Sequence, residues 1–257
     1  MKIKKFLKKN LPTSIVNFFW LLKNPKAVIK KITTKYLYKE DELLTSHIPA
    51  FMEDERFINC YNSTVKKTLG DPAIRWRSHI IIWAANRGKN LEGDFVECGV
   101  NRGFFSKTAM DYIGFKELPK TFFLLDTYEG LAEKYLTKDE KQKNRKEGWY
   151  KPCYKQVLET FKDYKNVKII KGAVPETLSQ VTSKKIAYLS IDMNCVIPEI
   201  AATEYFWNKM SPGAAIILDD YGHIGYEEQR HAFDKFAKDK NISILCLPTG
   251  QGLILKP

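Results

Sequence analysis

The sequence has no C-x-x-C pair: its five cysteines stand at 60, 98, 153, 195 and 246. An odd and scattered set supports neither a zinc ribbon nor a disulfide framework, and a reducing compartment is the expectation. The four histidines, at 47, 79, 223 and 231, never form H-E-x-x-H, which removes the commonest zinc-hydrolase signature. Glycine and proline are sparse, 14 and 11 of 257 residues, well short of a low-complexity or collagenous chain. The amino-terminal apolar run, Leu11 to Leu22, is interrupted by Pro12 and Asn17 and is shorter than the roughly 20 residues of a spanning helix. Lys23-Asn24-Pro25-Lys26 follows it where a signal peptide would carry small residues, so secretion is not expected.

Acid is also absent where base is dense. Ten lysines and no Asp or Glu fall within residues 1 to 35, so most of the +12 net charge sits in that stretch. Interleaved with Phe6, Phe18, Phe19 and Trp20, it has the chemistry of an arm that lies on an anionic membrane surface. A solvated arm packed on the main domain or on a second subunit is the alternative. Nucleic acid is not expected as a partner, because the body of the chain lacks a basic stripe.

What is present is a core: 44% of the residues are apolar, enough for one sizeable domain with an appendage. Residues 36 to 90 read as a helical lid or docking region, with a helix from Ala73 to Asn86. From Leu91 to Pro257, short apolar runs alternate with helical stretches, the pattern of parallel βαβ units. Strands are expected at Asp94 to Cys98, Thr121 to Leu125, Val167 to Ile170, Ile186 to Ile191, Ala214 to Leu218, Ile242 to Leu247 and Leu253 to Lys256. Helices are expected at Phe104 to Ile113, Tyr154 to Tyr164, Pro175 to Val181, Glu199 to Met210 and Tyr226 to Lys238. The fold class is therefore α/β, a doubly wound, mostly parallel, seven-stranded Rossmann-like sheet with a helical N-terminal extension. Glu133 to Tyr150 is too polar for a core element and reads as a mobile loop near the site.

In such a sheet ligands sit beyond the strand carboxyl ends, so the chemistry is read from the residues that follow each strand. The first strand runs into Glu97-Cys98-Gly99-Val100-Asn101-Arg102-Gly103, with Ser106 just inside the next helix. Gly99 and Gly103 allow a tight turn and close backbone approach. Asn101 replaces the middle glycine of a dinucleotide fingerprint, and Glu97 would repel a pyrophosphate, so a cationic ligand such as the ammonium of S-adenosylmethionine fits better. Asp126, followed by Thr127, stands about 20 residues past the glycine turn, where an acid accepts hydrogen bonds from ribose hydroxyls. Asp192, Asp219 and Asp220 follow two later strands, and three carboxylates in one pocket call for a cation. An oxygen-only set suits Mg2+ or Mn2+, which makes a bound hydroxyl more acidic. His223 is the candidate base; a histidine that only orients a carboxylate or caps the loop is the alternative.

Through Phe95 to Gly103, Asp126 to Leu131, Ser190-Ile191-Asp192 and Ser211-Pro212-Gly213 leading into Asp219-Asp220-Tyr221, the chain resembles the macrocin O-methyltransferase family over about Leu91 to Pro257. The resemblance implies methyl transfer from S-adenosylmethionine to a sugar hydroxyl, with cofactor contacts from Glu97, Gly99, Gly103 and Asp126 and metal ligation by Asp192, Asp219 and Asp220. Catechol O-methyltransferase is similar in placing metal ligands after the same two strands. Its base lysine follows the first metal acid by three residues, where this chain has Cys195, so a histidine or aspartate base, His223 or Asp192, is expected instead. Asn194 and Cys195 also depart from the acid and tyrosine common in the sugar-methylating pattern. The expected acceptor is a sugar-containing small molecule or glycan precursor, met in the cytoplasm or at the inner membrane face, with homo-oligomerisation open. A nicotinamide-dependent oxidoreductase and a non-enzymatic membrane scaffold are the competing readings.

Overall fold

The computed structural model describes residues 37–68, 70–143 and 150–257; the basic arm expected over residues 1–35 lies outside the described residues. The chain divides into two units, Met1–Lys39 with Leu44–Pro49, and Glu40–Leu43 with Ala50–Pro257. In the described part of the first, the Leu37 amide donates to the Thr45 carbonyl (3.0 Å), and Leu37, Leu44 and Ile48 are exposed.

The elements in chain order are β1 (Tyr38–Glu40), β2 (Leu43–Thr45), α1 (Glu55–Thr68), α2 (Arg75–Gly88), β3 (Asp94–Cys98), α3 (Phe104–Ile113) and β4 (Phe122–Asp126). They continue with α4 (Lys138–Gln142), α5 (Tyr154–Phe161), β5 (Val167–Lys171), β6 (Ile186–Ile191), α6 (Val196–Trp207), β7 (Met210–Leu218), α7 (Glu227–Asp239), β8 (Leu245–Cys246) and β9 (Gly252–Leu255). β1 and β2 form a two-stranded ribbon; the other strands form one sheet in the order β5-β4-β3-β6-β7-β9-β8. Pairing is parallel from β5 to β7 and antiparallel at β7–β9 and β9–β8. The chain walks outward from β3 to β5 and then returns to place β6 on the other side of β3. That reversal opens a crevice at the carboxyl ends of β3 and β6.

Strands buried on both faces need apolar residues at successive positions, and β3, β4 and β6 have them. Phe95 and Phe122 face one layer with α1, α2, α3 and α5; Val96 and Phe123 face the other with α6 and α7. Each fully buried Phe or Leu contributes about 1.5–3 kcal/mol relative to exposure. The first layer is aromatic, with Phe95 stacked on Tyr188 at 5.1 Å between centroids. α1 starts after Asp54, whose Oδ1 accepts the Arg56 and Phe57 amides (2.8 and 3.3 Å), and buries Phe57, Tyr61, Thr64 and Thr68 along one face. α2 starts two residues later than the sequence suggests because Ala73 is left-handed (φ 54). It buries Ile81, Ile82, Ala84 and Ala85 and ends at Gly88, where a Cβ would come 2.6 Å from the Ala187 carbonyl oxygen of β6.

Several expected elements differ. The ribbon β1–β2 lies within the region read as irregular or helical, since two three-residue strands are too short to show a period. The strand expected over Ile242 to Leu247 is reduced to β8, because the Ile242 amide closes the end of α7 on the Ala237 carbonyl (3.0 Å). The helix expected over Pro175 to Val181 is a single 3-10 turn, Leu178–Gln180, flanked by Val174 and Val181, which bury with Leu178 in the core. The polar insert carries helical structure within 133–143, a 3-10 turn at Glu133–Tyr135 and then α4. Thr137 and Glu140 form a reciprocal cap on α4, and Glu140 is buried with its Oε1 accepting the Val196 amide at the start of α6 (2.8 Å). Glu140 buries because its carboxylate finds backbone donors, while the other charged residues of 133–143 stay exposed.

Candidate active site

Parallel register assembles the site. Cys98 pairs with Ile191 and Ile191 with Leu218, so the residues that follow, Gly99, Asp192 and Asp219, emerge side by side. The Asp192 amide donates to the Cys98 carbonyl (2.8 Å) and the Asp219 amide to the Ile191 carbonyl (3.0 Å). Gly99 (φ 87) is required here: a Cβ would fall 1.7 Å from the Asp192 carbonyl oxygen.

On the β3 side, Glu97 is 1% exposed and accepts from the Ser106 hydroxyl. Burial pushes its carboxyl up to about 8, helped by Asp126 and Asp219 and opposed by the Ser106 bond. Ser106 thus faces Glu97 and lines neither cleft described below. Gly103 (φ 81) opens α3, and a Cβ there would press on the Phe161 ring at 2.5 Å. Asp126 Oδ2 accepts the Val100 and Asn101 amides (2.6 and 2.7 Å) and Oδ1 accepts the Tyr128 amide (2.6 Å). The acid read as a ribose contact therefore also ties down the glycine loop, a role the spacing alone did not reveal. Thr127 Oγ1 donates to the Gly130 carbonyl and lines the cleft beside Asp126.

Two clefts meet at this point. One, about 810 Å³ with its open mouth, is lined by Gly99, Asp126, Thr127, Leu131, Tyr150 and Asp192 among others. The second, about 1090 Å³, is lined by Glu97, Arg102, Phe105, Tyr150, Lys151 and Asp192 among others. Asp192 and Tyr150 line both.

Asp192, Asp219 and Asp220 each offer an oxygen within 4.8 Å of the others. Burial, then Asp219 and Asp220, hold the Asp192 carboxyl well above the usual carboxylate range; Arg77 opposes them. A partly buried, all-oxygen donor set whose members repel one another is chemically matched to a hard divalent cation. Neighbours fix the acids: Gln251 Nε2 donates to Asp219 Oδ1 (3.0 Å), Arg77 Nη1 to Asp219 Oδ2 (2.6 Å) and Asn194 Nδ2 to Asp192 Oδ1 (3.1 Å). The Tyr226 hydroxyl donates in turn to Asn194 Oδ1 (2.7 Å). Glu199 Oε1 holds the same turn by accepting the Met193 amide (3.1 Å) and Gln229 Nε2 (3.0 Å); burial raises its carboxyl to about 7. Burial also raises the Tyr150 phenol, with Asp192 adding to the shift.

His223 lines neither cleft. Its ring packs on Gly250, where a Cβ would meet Nε2 at 2.6 Å, and its amide donates to the Asp220 carbonyl (3.2 Å). Arg77, Tyr150, Glu199, Tyr226 and Gln251 were not found from sequence. Only Gln251 carried a signal: a polar residue directly before an apolar strand, and the Gly252–Leu218 pairing sets it beside Asp219.

Among solved structures, the O-methyltransferase NovP is similar at 18% identity over 70% of this chain and 79% of that one, with a TM-score of 0.59. CalS11, a calicheamicin methyltransferase, is 16% identical over 81% and 93%, TM-score 0.55. A putative caffeoyl-CoA O-methyltransferase from Staphylococcus aureus is 14% identical over 81% and 96%, TM-score 0.55. At these identities the likeness shows the fold. In a comparison with curated proteins, none matches. The family model for macrocin-O-methyltransferase (TylF) matches residues 79–245, more than half of the sequence and the whole of the strand-end constellation, and the chain belongs to that family as an S-adenosylmethionine-dependent O-methyltransferase.

Proposed function

We propose that the protein methylates a hydroxyl of a sugar-containing acceptor, with a divalent cation, Mg2+ or Mn2+, held by Asp192, Asp219 and Asp220. The observation that carries this reading is the position of Asp192, which lines both clefts and belongs to the acid cluster. The nucleoside of the cofactor lies in the first cleft, with Gly99, Asp126 and Thr127 along it, and its methionine end reaches into the second cleft at Glu97. The acceptor enters the remainder of the second cleft and meets the cofactor at Asp192. CalS11 is described as a TDP-rhamnose 3'-O-methyltransferase, which supports a sugar as the acceptor class.

When bound, the cation supplies acidity to a coordinated hydroxyl and orients it. The residues of the chain do the rest. Asp192, where the two clefts meet, accepts the proton from the acceptor oxygen as that oxygen takes the methyl group. The S–CH3 bond breaks, and the sulfonium leaves as the neutral thioether of S-adenosylhomocysteine. Transfer needs oxygen and methyl about 3–3.5 Å apart, so fixing Asp192 through Asn194 and Tyr226 is a contribution to rate. His223 supports the Asp219–Asp220 loop through its contact with Gly250 and lines neither cleft, and on this reading the base is Asp192.

The test is transfer of labelled methyl from S-adenosylmethionine to a panel of nucleotide-linked hexoses and deoxyhexoses, free glycosides and catechols, with EDTA and with Mg2+ or Mn2+ added back. Metal-dependent labelling of a sugar supports the reading. Undiminished turnover in EDTA, or transfer confined to phenols, overturns it. Residues 1–35, outside the described structure, are proposed to hold the enzyme at an anionic membrane surface on the cytoplasmic side, where a glycan precursor would be met.

A further inference from the structure

Asp219 is joined to a residue remote from every motif that defines the site. Arg77 reaches Asp219 Oδ2 with Nη1 (2.6 Å) and donates to Asp41 Oδ1 with Nη2 (2.9 Å), with Nε 2.7 Å from Asp41 Oδ2, so the guanidinium fork spans two acids. The three side chains are 18%, 16% and 4% exposed for Asp41, Arg77 and Asp219, so solvent screens this chain of charges little. Burial works against the Arg77 charge, but Asp219, Asp41 and Asp192 outweigh it and push the guanidinium pKa up.

We propose that Asp41 and Arg77 are positioning residues for the cation site: the hairpin tip sets the plane of the Asp219 carboxylate without adding net positive charge beside it. The proposal rests on the assignment of Asp192, Asp219 and Asp220 as the cation-holding acids. Three observations carry it. Arg77 takes one acceptor position on Oδ2 and Gln251 one on Oδ1, which leaves each oxygen a further lone pair and fixes the direction in which it is presented. An arginine alone beside a cation site would oppose the cation; Asp41 offsets that charge, so orientation is gained without repulsion. Finally, Asp41 and Glu42 hold left-handed backbones (φ 53 and 59) at a two-residue turn that glycine or asparagine occupies at lower cost. An aspartate kept in that conformation is explained by what its side chain holds.

The nearest ion pair of the same hairpin provides the control. Glu40 pairs with Arg75, which also pairs with Asp71 (2.7 Å) and reaches none of the three acids. The experiment is Mn2+ binding by electron paramagnetic resonance, together with initial rates against Mn2+ concentration and thermal melts, for the full chain and for Asp41→Asn, Arg77→Lys and Glu40→Gln. Asp41→Asn leaves Arg77 uncompensated, and Arg77→Lys keeps the charge but loses the fork. Both are expected to weaken Mn2+ binding about tenfold, the scale seen when a partner of a metal ligand is removed, with the loss in the KM for the cation more than in kcat. Glu40→Gln is expected to lower the melting temperature and leave Mn2+ affinity at the level of the unaltered chain. Wild-type Mn2+ affinity in a folded Asp41→Asn or Arg77→Lys, or an equal loss in Glu40→Gln, overturns the proposal. If the unaltered chain binds S-adenosylhomocysteine but no Mn2+, the assignment of the three acids falls and the proposal falls with it.

Discussion

Gly99 and Asp192 meet where a side chain cannot: a Cβ on residue 99 would lie 1.7 Å from the carbonyl oxygen of residue 192. The loop after β3 and the loop after β6 are thereby pressed together, and the cofactor cleft shares a wall with the acid cluster. Gly99→Ala must separate the two strand ends and also strain a residue at φ 87. The expected cost is about 3 kcal/mol or more, with loss of S-adenosylhomocysteine binding. Chemical denaturation and calorimetric titration check both; a variant of wild-type stability would contradict the close approach.

Asp219→Asn keeps the shape of the side chain while removing charge from both the cluster and Arg77. Methyl transfer is expected to fall about 100-fold or more in kcat/KM, and the circular dichroism spectrum to stay native. Equal rates for variant and parent, each responding equally to EDTA, would reject the role of this acid.

Glu97 gives the cofactor a pH signature. Its carboxyl, raised to about 8 by burial, must lose its proton to pair with an ammonium, so S-adenosylmethionine binding tightens as pH rises from 6 toward 8. The expected gain is about 50-fold, the ratio of the ionised fractions at the two pH values, and Glu97→Gln removes the slope along with most of the affinity. A pH-independent dissociation constant would show that Glu97 does not face the ammonium.

Glu199 gives stability a pH signature. Its pKa is raised to about 7 in the fold, above the ordinary 4.5, so its contribution is fully present below 4.5 and is lost as pH rises through 7. Glutamine at 199 keeps the oxygen that accepts from Met193 and Gln229. Glu199→Gln is therefore expected to match the parent near pH 4.5 and to exceed it above pH 7, by on the order of 2 kcal/mol. Urea denaturation at both pH values measures the difference; a constant gap would refute the titration.

The arm makes a prediction of its own. Removing residues 1–35 removes ten lysines, and binding to vesicles rich in anionic lipid should fall to that of neutral vesicles in a flotation assay. Equal flotation of the full and shortened chains would remove the membrane reading.

The sheet was legible because its central strands are short apolar runs that end in polar residues. Asp94–Cys98 and Ile186–Ile191 match the sequence reading residue for residue, as does the helix Phe104–Ile113. In-register parallel strands then make the end of each run a fixed place, which is why Asp192 and Asp219 could be brought together before any coordinates. Arg77 could not, since it acts on a residue 142 positions away and looks like any other helical arginine. The insert misled for a related reason. Lysines and glutamates read as solvent-facing, whereas Glu140 is buried by a backbone amide from another helix, a partner no local pattern encodes.

The Glu140 bond has a mechanical consequence. The segment 131–143 forms one bank of the first cleft through Leu131, Ala132 and Tyr135, and it is moored by Glu140 to the helix that begins four residues after Asp192. A single hydrogen bond thus ties the wall of that cleft to the turn that carries Asp192, and a displacement of either is felt by the other.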